Sequence, residues 1–168
     1  MRLGKRMQAF DEKRAALLDR VQALPPPLLE AKPRAGKWSI LEIVEHLALA
    51  ERTVLQGLPQ PSQLAERPRK PKHRFRYFLV WWFLKLRIPV QVPSPAMVPQ
   101  GNRSLSDIRQ LWDESQAWFR AYVGQLDARG LRRAVFRHPV AGPLTPAQAV
   151  RLNQIHLDIH DRHTIAPL

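Results

Sequence analysis

Four stretches of the chain repeat apolar residues at the three- and four-residue spacing of an amphipathic helix. The first is predicted over residues 5–24, where three consecutive prolines, 25–27, stop it. The second is predicted over residues 39–56, the third over 104–126, and the last begins at Thr145. No segment alternates apolar and polar residues for long enough to predict a sheet. The pattern therefore predicts an all-α protein.

Two of these helices have clear start signals. Ser39 with Glu42, and Thr145 with Gln148, place a hydroxyl at the N-cap and a side chain three residues later that reaches back to the cap's amide. Pro146 suits the first helical position, because the N–H that it lacks would have no helical partner there. These signals fix the starts of the second and last helices.

The second and third helices are joined by a long, proline-rich and basic connection, residues 58–103. We expect it to be mostly extended, with the apolar run 77–86 forming a short helix on the bundle. That run has about half the length that a bilayer crossing needs. Residues 136–144 are predicted to be irregular as well.

Composition narrows the class of protein. A chain of 168 residues, of which 45% are hydrophobic, has the length and apolar content of one domain, so residues 1–168 are expected to form a single one. The start has no apolar segment of the secretory type, which predicts a cytoplasmic location. The chain has no cysteine, which excludes disulfides, thiolate metal ligands and a catalytic thiol of its own.

Positive charge is in large excess and unevenly spread. The chain has 27 Lys and Arg against 14 Asp and Glu, and residues 67–87 contain no acidic residue at all. Such a segment suits phosphate groups or anionic lipid, although a solvated basic loop is the simpler interpretation. The candidate anion-binding residues are Arg69, Lys70, Lys72, Arg74 and Arg76.

Histidines supply the candidate chemistry. His156, His160 and His163 follow each other at four- and three-residue spacing, so on the last helix they share a face with its apolar residues. His46 lies at the edge of the apolar stripe of the second helix. Two imidazoles four residues apart can reach one metal ion, and a third from a facing helix would leave coordination positions open. A single histidine on such a face is more often a packed core residue, but a pair facing a dry interior needs polar partners.

Two motifs flank the irregular connection, and together they resemble the DinB-like superfamily, which includes thiol-dependent S-transferases. The first is Gly36-Lys37-Trp38-Ser39 with Glu42, His46-Leu47 and Glu51; the second is His138-Pro139 with Gly142, Leu144-Thr145, His156 and His160. The resemblance implies a four-helix bundle with a divalent metal held by three histidines of the second and last helices, here His46, His156 and His160. Where the family commonly has glutamine, this chain has His163, which leaves a shifted register of His160 with His163 open.

The resemblance also implies an activity: transfer of a low-molecular-weight thiol to a small-molecule substrate, or hydrolysis of one. Three neutral imidazoles leave the charge of the ion undiluted, which favours deprotonation of water or of an external thiol. Nickel, zinc, iron and copper all suit such ligands. Glu51, on the core side of the second helix, is a candidate for orienting a ligand.

Two other interpretations concern the basic segment. The first is a non-catalytic bundle whose residues 67–87, with Phe75, Tyr77, Trp81 and Trp82, bind nucleic acid or an anionic membrane surface. The second is a homodimer formed through exposed apolar residues of the run 77–86.

Overall fold

The computed structural model describes residues 3–61, 71–86, 92, 94–138 and 140–161, with the backbone alone at 84 and 85. In this part of the chain the helices are α1 Leu3–Gln22, α2 Pro26–Glu30, α3 Ile40–Gln56, α4 Pro71–Leu86, α5 Leu105–Gly124 and α6 Pro146–His160. Single 3-10 turns, Pro95–Met97 and Gly130–Arg132, lie before and after α5, and the strands β1 Phe136–His138 and β2 Gly142–Leu144 precede α6.

Helices α1, α3, α5 and α6 form the predicted four-helix bundle. Helix α3 packs on α5, and α1 packs on α6. The core between them is built of fully buried apolar side chains, among them Phe10, Leu17, Val21, Val44, Leu47, Ile108, Trp112, Phe119, Leu152 and Leu157. The all-α prediction is confirmed, the first three predicted helices begin and end within two residues of the observed ones, and the last begins within one residue of its predicted start.

Capping boxes set the first turns of the helices that carry the candidate histidines. The Glu42 amide donates to the Ser39 hydroxyl, and the Ser39 amide donates to the Glu42 carboxylate at 2.8 Å. Thr145 and Gln148 make the same reciprocal pair at the start of α6. A third box starts α5. Because each box satisfies two amides that would otherwise lack partners, it holds the helix start in place.

The connection between α3 and α5 contains a longer helix than the sequence pattern predicts. Helix α4 has 16 residues and begins at Pro71, where a missing N–H costs nothing. By sequence position, the prolines of residues 58–103 fall either at the first position of α4 or outside its range. The high proline content of the connection is therefore compatible with this helix. Tyr77, Val80 and Trp81 pack on the core, and the Arg151 guanidinium lies 5.4 Å from the centre of the Trp81 ring. No helix in the described part of the chain combines the length and apolar character needed to cross a bilayer.

Strands β1 and β2 pair as an antiparallel hairpin within residues 136–144, which the sequence predicted to be irregular. Phe136 pairs with Leu144, and His138 pairs with Gly142. Gly142 has a φ of 76°, in the left-handed region that favours glycine. Each strand has three residues, which is too short for an alternating pattern to be recognised. The hairpin contributes to the core, because Phe136 and Leu144 are both buried in it.

A buried acid, Glu51, joins α3 to α5. Its side chain is 4% exposed, and its Oε2 accepts a hydrogen bond from Trp112 Nε1 at 2.7 Å. Its Oε1 accepts from Gln116 Nε2. Burial raises the pKa of Glu51 to about 7, against the opposing effects of the Trp112 hydrogen bond and the charge of Arg14. The folded chain therefore holds a proton on Glu51 at pH values where the unfolded chain has lost it.

Replacing Thr145 with alanine is expected to lower the free energy of unfolding by about 1 kcal/mol, because α6 loses its capping hydroxyl. Urea unfolding followed by circular dichroism measures the loss. Thr53→Ala is the matched control, since the Thr53 hydroxyl bonds the Leu49 carbonyl inside α3 and is not needed for the helix. We expect that control to change stability by less than about 0.5 kcal/mol. Equal losses in the two variants would contradict the capping role.

Replacing Glu51 with glutamine is expected to remove a pH dependence. A raised pKa in the folded state contributes stability that is complete below the ordinary value of 4.5 and is lost as pH rises through about 7. Glutamine stays uncharged and still offers an oxygen to Trp112, so relative to Glu51→Gln the wild type should lose up to about 3 kcal/mol across this range. Urea unfolding at several pH values measures the difference.

The control for this comparison is Glu114→Gln, an exposed position on α5. The free energy of unfolding of this variant should differ from that of the wild type by the same amount at every pH. A constant difference between Glu51→Gln and the wild type would show that Glu51 does not titrate in this range.

Candidate metal centre

Three of the predicted residues, His46, His156 and His160, meet at one point. Helix α3 supplies His46 and helix α6 the other two. His156 Nε2 lies 3.3 Å from His46 Nε2 and 3.2 Å from His160 Nε2, and one ring nitrogen from each residue lies within 4.8 Å of the others. Two nitrogens bound tetrahedrally to one ion, each at ~2.0–2.1 Å, lie about 3.3–3.4 Å apart. The two measured separations are therefore close to those of ligands on a shared ion.

The ring of His46 is held in one orientation. Its Nδ1 lies 2.7 Å from the backbone carbonyl oxygen of Met97. Since a carbonyl only accepts, Nδ1 carries the proton, and the lone pair lies on Nε2, facing the other two rings. Such a bond from the second ring nitrogen is usual for metal-binding histidines. Trp38 packs against the other side of the imidazole, with ring centroids 4.8 Å apart.

The loop that supplies the Met97 carbonyl is tied to α3 by the neighbouring residue, Glu45. This carboxylate is 1% exposed and accepts hydrogen bonds from the Gly101 amide at 3.0 Å and from Arg103 Nε at 3.2 Å. Gly101 has a φ of 70°, and a Cβ there would lie 3.2 Å from a carboxylate oxygen of the α3 capping box. Two consecutive residues of α3 thus bind this loop: Glu45 accepts hydrogen bonds from it, and His46 donates one to its Met97 carbonyl.

Neutral rings alone cannot satisfy all contacts in the cluster. Nε2 of His46 carries a lone pair and can only accept a hydrogen bond. Its contact with His156 therefore needs a proton on His156 Nε2. That single proton cannot also serve the contact between His156 and His160. If His156 instead presents a lone pair to His160, two lone pairs face each other across 3.3 Å toward His46. A cation at the common point satisfies all three nitrogens, so the donor set fits a metal ion.

The electrostatic environment keeps two of these rings, those of His156 and His46, in the metal-binding form. Burial lowers the pKa of His156 well below its usual value, and the neighbouring His160, His46 and His138 lower it further. Burial also lowers the pKa of His46. Only neutral imidazole ligates metal, so these ligands remain competent at a lower pH than an exposed histidine would.

The hairpin brings a further histidine, His138, to which the sequence motif assigned no role. Its Nδ1 accepts hydrogen bonds from the backbone amides of Val140 at 3.2 Å and Ala141 at 3.0 Å. The ring proton of neutral His138 therefore lies on Nε2. Burial lowers the pKa of His138 to about 4, and its charge would act on His156. Neutral His138 thus offers its Nε2–H as a donor, close enough to the cluster for the charge of a protonated ring to affect His156.

Among the described residues, the other predicted site residues are not part of the three-histidine cluster. Glu51, expected to orient a ligand, bonds to α5 as described above and is not in the group of described residues that could share one ion. The candidate anion-binding residues that the structure describes, Lys72, Arg74 and Arg76, are exposed on α4. His163, Arg69 and Lys70 lie outside the described residues.

The cluster combines a rigid side with an accessible one. His46 is 5% exposed, whereas the residues His156 and His160 are half-buried. The group contains no carboxylate, so an ion held there would keep its full charge for a molecule bound beside it. Such a site can polarise or deprotonate a small ligand.

Comparison with known proteins agrees with this structure. A sequence profile of the DinB superfamily matches residues 9–164. The crystal structure described as TT2238, a four-helix bundle protein, superposes with a TM-score of 0.55 over 94% of this chain and 96% of that one, at 21% identity, which shows a shared fold. No curated protein matches the sequence. With a profile match over nearly its whole length, the chain belongs to the DinB superfamily.

Proposed function

We propose that His46, His156 and His160 bind one divalent metal ion and that the protein is a metal-dependent enzyme acting on a small molecule. The observation that carries the proposal is the convergence of three ε nitrogens from two helices, one of them fixed in tautomer by the Met97 carbonyl. Nickel, zinc and iron all suit such ligands. When bound, the ion supplies a positive charge that lowers the pKa of a water or thiol beside it.

The reaction that we favour is transfer of a low-molecular-weight thiol to an electrophilic small molecule, with hydrolysis as the alternative. The chain has no cysteine, so the thiol comes from outside. The proposed location is the cytoplasm, where small thiols are kept reduced. We assign His138 the part of a positioning donor, whose Nε2–H holds the bound substrate while its Nδ1 stays bonded to the hairpin backbone.

The double variant His156→Ala, His160→Ala is expected to lose the metal, because it removes two of the three ligands. Elemental analysis of protein purified without a histidine tag should find about one divalent ion per chain in the wild type and little in the variant. The matched control is Arg151→Ala, Asp158→Ala, which removes the contacts of the same helix with Trp81 and Lys13 and leaves all three ligands in place. It should keep the metal. Unchanged metal content in the histidine variant would refute the site.

Thiol transfer is expected in the metal-loaded wild type and absent in the double variant. Loss of free thiol in the presence of an electrophile measures it. His138→Leu should retain its metal but react roughly fivefold more slowly, since one hydrogen bond in a site contributes on the order of 1 kcal/mol. His138→Gln restores a side-chain N–H and should recover part of the rate.

These outcomes separate the two parts of the proposal. Metal binding without turnover of any thiol would direct the search to hydrolysis and leave the site intact. Equal rates in the wild type and in the double variant would show that the reaction does not depend on the three histidines.

A further inference from the structure

Helix α4 has two apolar faces, and the bundle covers one of them. On the inner face, Tyr77, Val80 and Trp81 pack on the core. On the outer face a second set of large apolar side chains is exposed. They are Phe75, Phe78, Trp82, Phe83 and Leu86, at 61%, 51%, 42%, 39% and 53% exposure. These are five of the nine exposed large hydrophobic residues in the described part of the chain, so the outer face of α4 is its main apolar surface.

The outer residues form a continuous stripe. Phe75, Phe78, Trp82 and Leu86 follow each other at spacings of three and four residues, which at about 100° per residue keeps them on one side of the helix. The stripe is about 16 Å long. The rings of Phe78 and Trp82 stack with centroids 6.0 Å apart. An exposed aromatic surface of this kind marks a contact site.

Cations border the stripe on both sides. Lys72 and Arg76 lie roughly a quarter turn or more to one side of it, and Arg74 lies roughly a quarter turn to the other. All three are exposed, and α4 contains no acidic residue. Aromatic residues between two rows of cations are typical of a helix that lies in a membrane interface, where the rings enter the acyl boundary and the cations meet phosphate groups.

Charge favours this partner over two others. A second copy of the chain would bring the same cations to the same stripe, since a two-fold interface pairs a patch with itself, and α4 has no carboxylate to pair with them. Single-stranded nucleic acid stacks its bases on rings placed along a basic groove, whereas these rings form a convex stripe with the cations at its edges. An anionic lipid surface matches both the rings and the cations.

We propose that α4 docks this protein on an anionic phospholipid surface. The stripe of Phe75, Phe78, Trp82 and Leu86 faces the acyl chains, and the bordering cations Lys72, Arg74 and Arg76 contact the phosphates of the headgroups. The inner face of α4 keeps the helix on the bundle, so the protein binds as a folded unit. The inference rests on α4 alone and does not depend on the proposed metal site.

Co-sedimentation of the full chain with vesicles tests the proposal. The protein should pellet with phosphatidylcholine vesicles that contain phosphatidylglycerol, and at least about tenfold less with phosphatidylcholine alone. Phe78→Ser, Trp82→Ser should weaken binding by at least about tenfold, because it removes the centre of the stripe. Arg74→Gln, Arg76→Gln should weaken it by roughly 30-fold and flatten its salt dependence.

Two matched controls should bind like the wild type. Trp118→Ser removes an equally exposed tryptophan, at 45% exposure, from α5. Lys5→Gln, Arg34→Gln removes the same charge from exposed positions outside α4. Circular dichroism checks that every variant is folded, which is expected because all these side chains are on the surface.

Four results would overturn the proposal. The first is wild-type protein left in the supernatant with anionic vesicles at low salt. The second is unchanged binding of the stripe variant, which would reduce the effect to general charge attraction. The third is a solution dimer that the stripe substitutions dissociate, without vesicle binding, since the occupant would then be a second copy. The fourth is binding of a single-stranded oligonucleotide that the same substitutions abolish, again without vesicle binding.

Discussion

The hydrogen bond from His46 Nδ1 to the Met97 carbonyl is the constraint on which the candidate site depends. It decides which ring nitrogen carries the proton, and so which nitrogen faces α6 with a lone pair. The carbonyl is held because Glu45, one residue earlier in α3, binds the Gly101 amide and the Arg103 side chain. A single turn of α3 therefore fixes both the ligand and the loop that orients it.

That constraint makes the cluster hard to explain as ordinary packing. With His46 fixed, neutral rings leave one of the two short nitrogen contacts of His156 without a proton. Protonating a ring would relieve this contact, but burial and the neighbouring histidines lower the pKa of His156 and oppose it. Because an unsatisfied polar contact in a buried place is costly, the arrangement suits a cation that all three nitrogens could share.

The sequence predicted the parts of this arrangement that depend on local spacing. The capping boxes of Ser39 and Thr145 predicted where the two ligand-bearing helices begin, and the four-residue spacing predicted that His156 and His160 share a face. The family resemblance joined His46 to them. The Met97 carbonyl could not be predicted, because it is a backbone group 51 residues from His46 and has no side-chain signal. The extent of α4 was missed because a helix with apolar residues on both faces shows little amphipathic contrast.

The candidate ligand His160 lies in the last turn of α6. His160 is the last residue of this helix, and the backbone amide of Asp161 caps the helix by donating to the carbonyls of Leu157 and Asp158. Surface contacts hold the helix along its length, through Lys13 with Asp158 on one side and Trp81 of α4 with Arg151 on the other. The contacts of His156 with His46 and with His160 link this turn to α3. An ion shared by His46, His156 and His160 would add a further link between this turn and α3, so metal binding and folding would reinforce each other. When the free metal concentration is a thousand times the dissociation constant, binding adds about 4 kcal/mol to the free energy of unfolding.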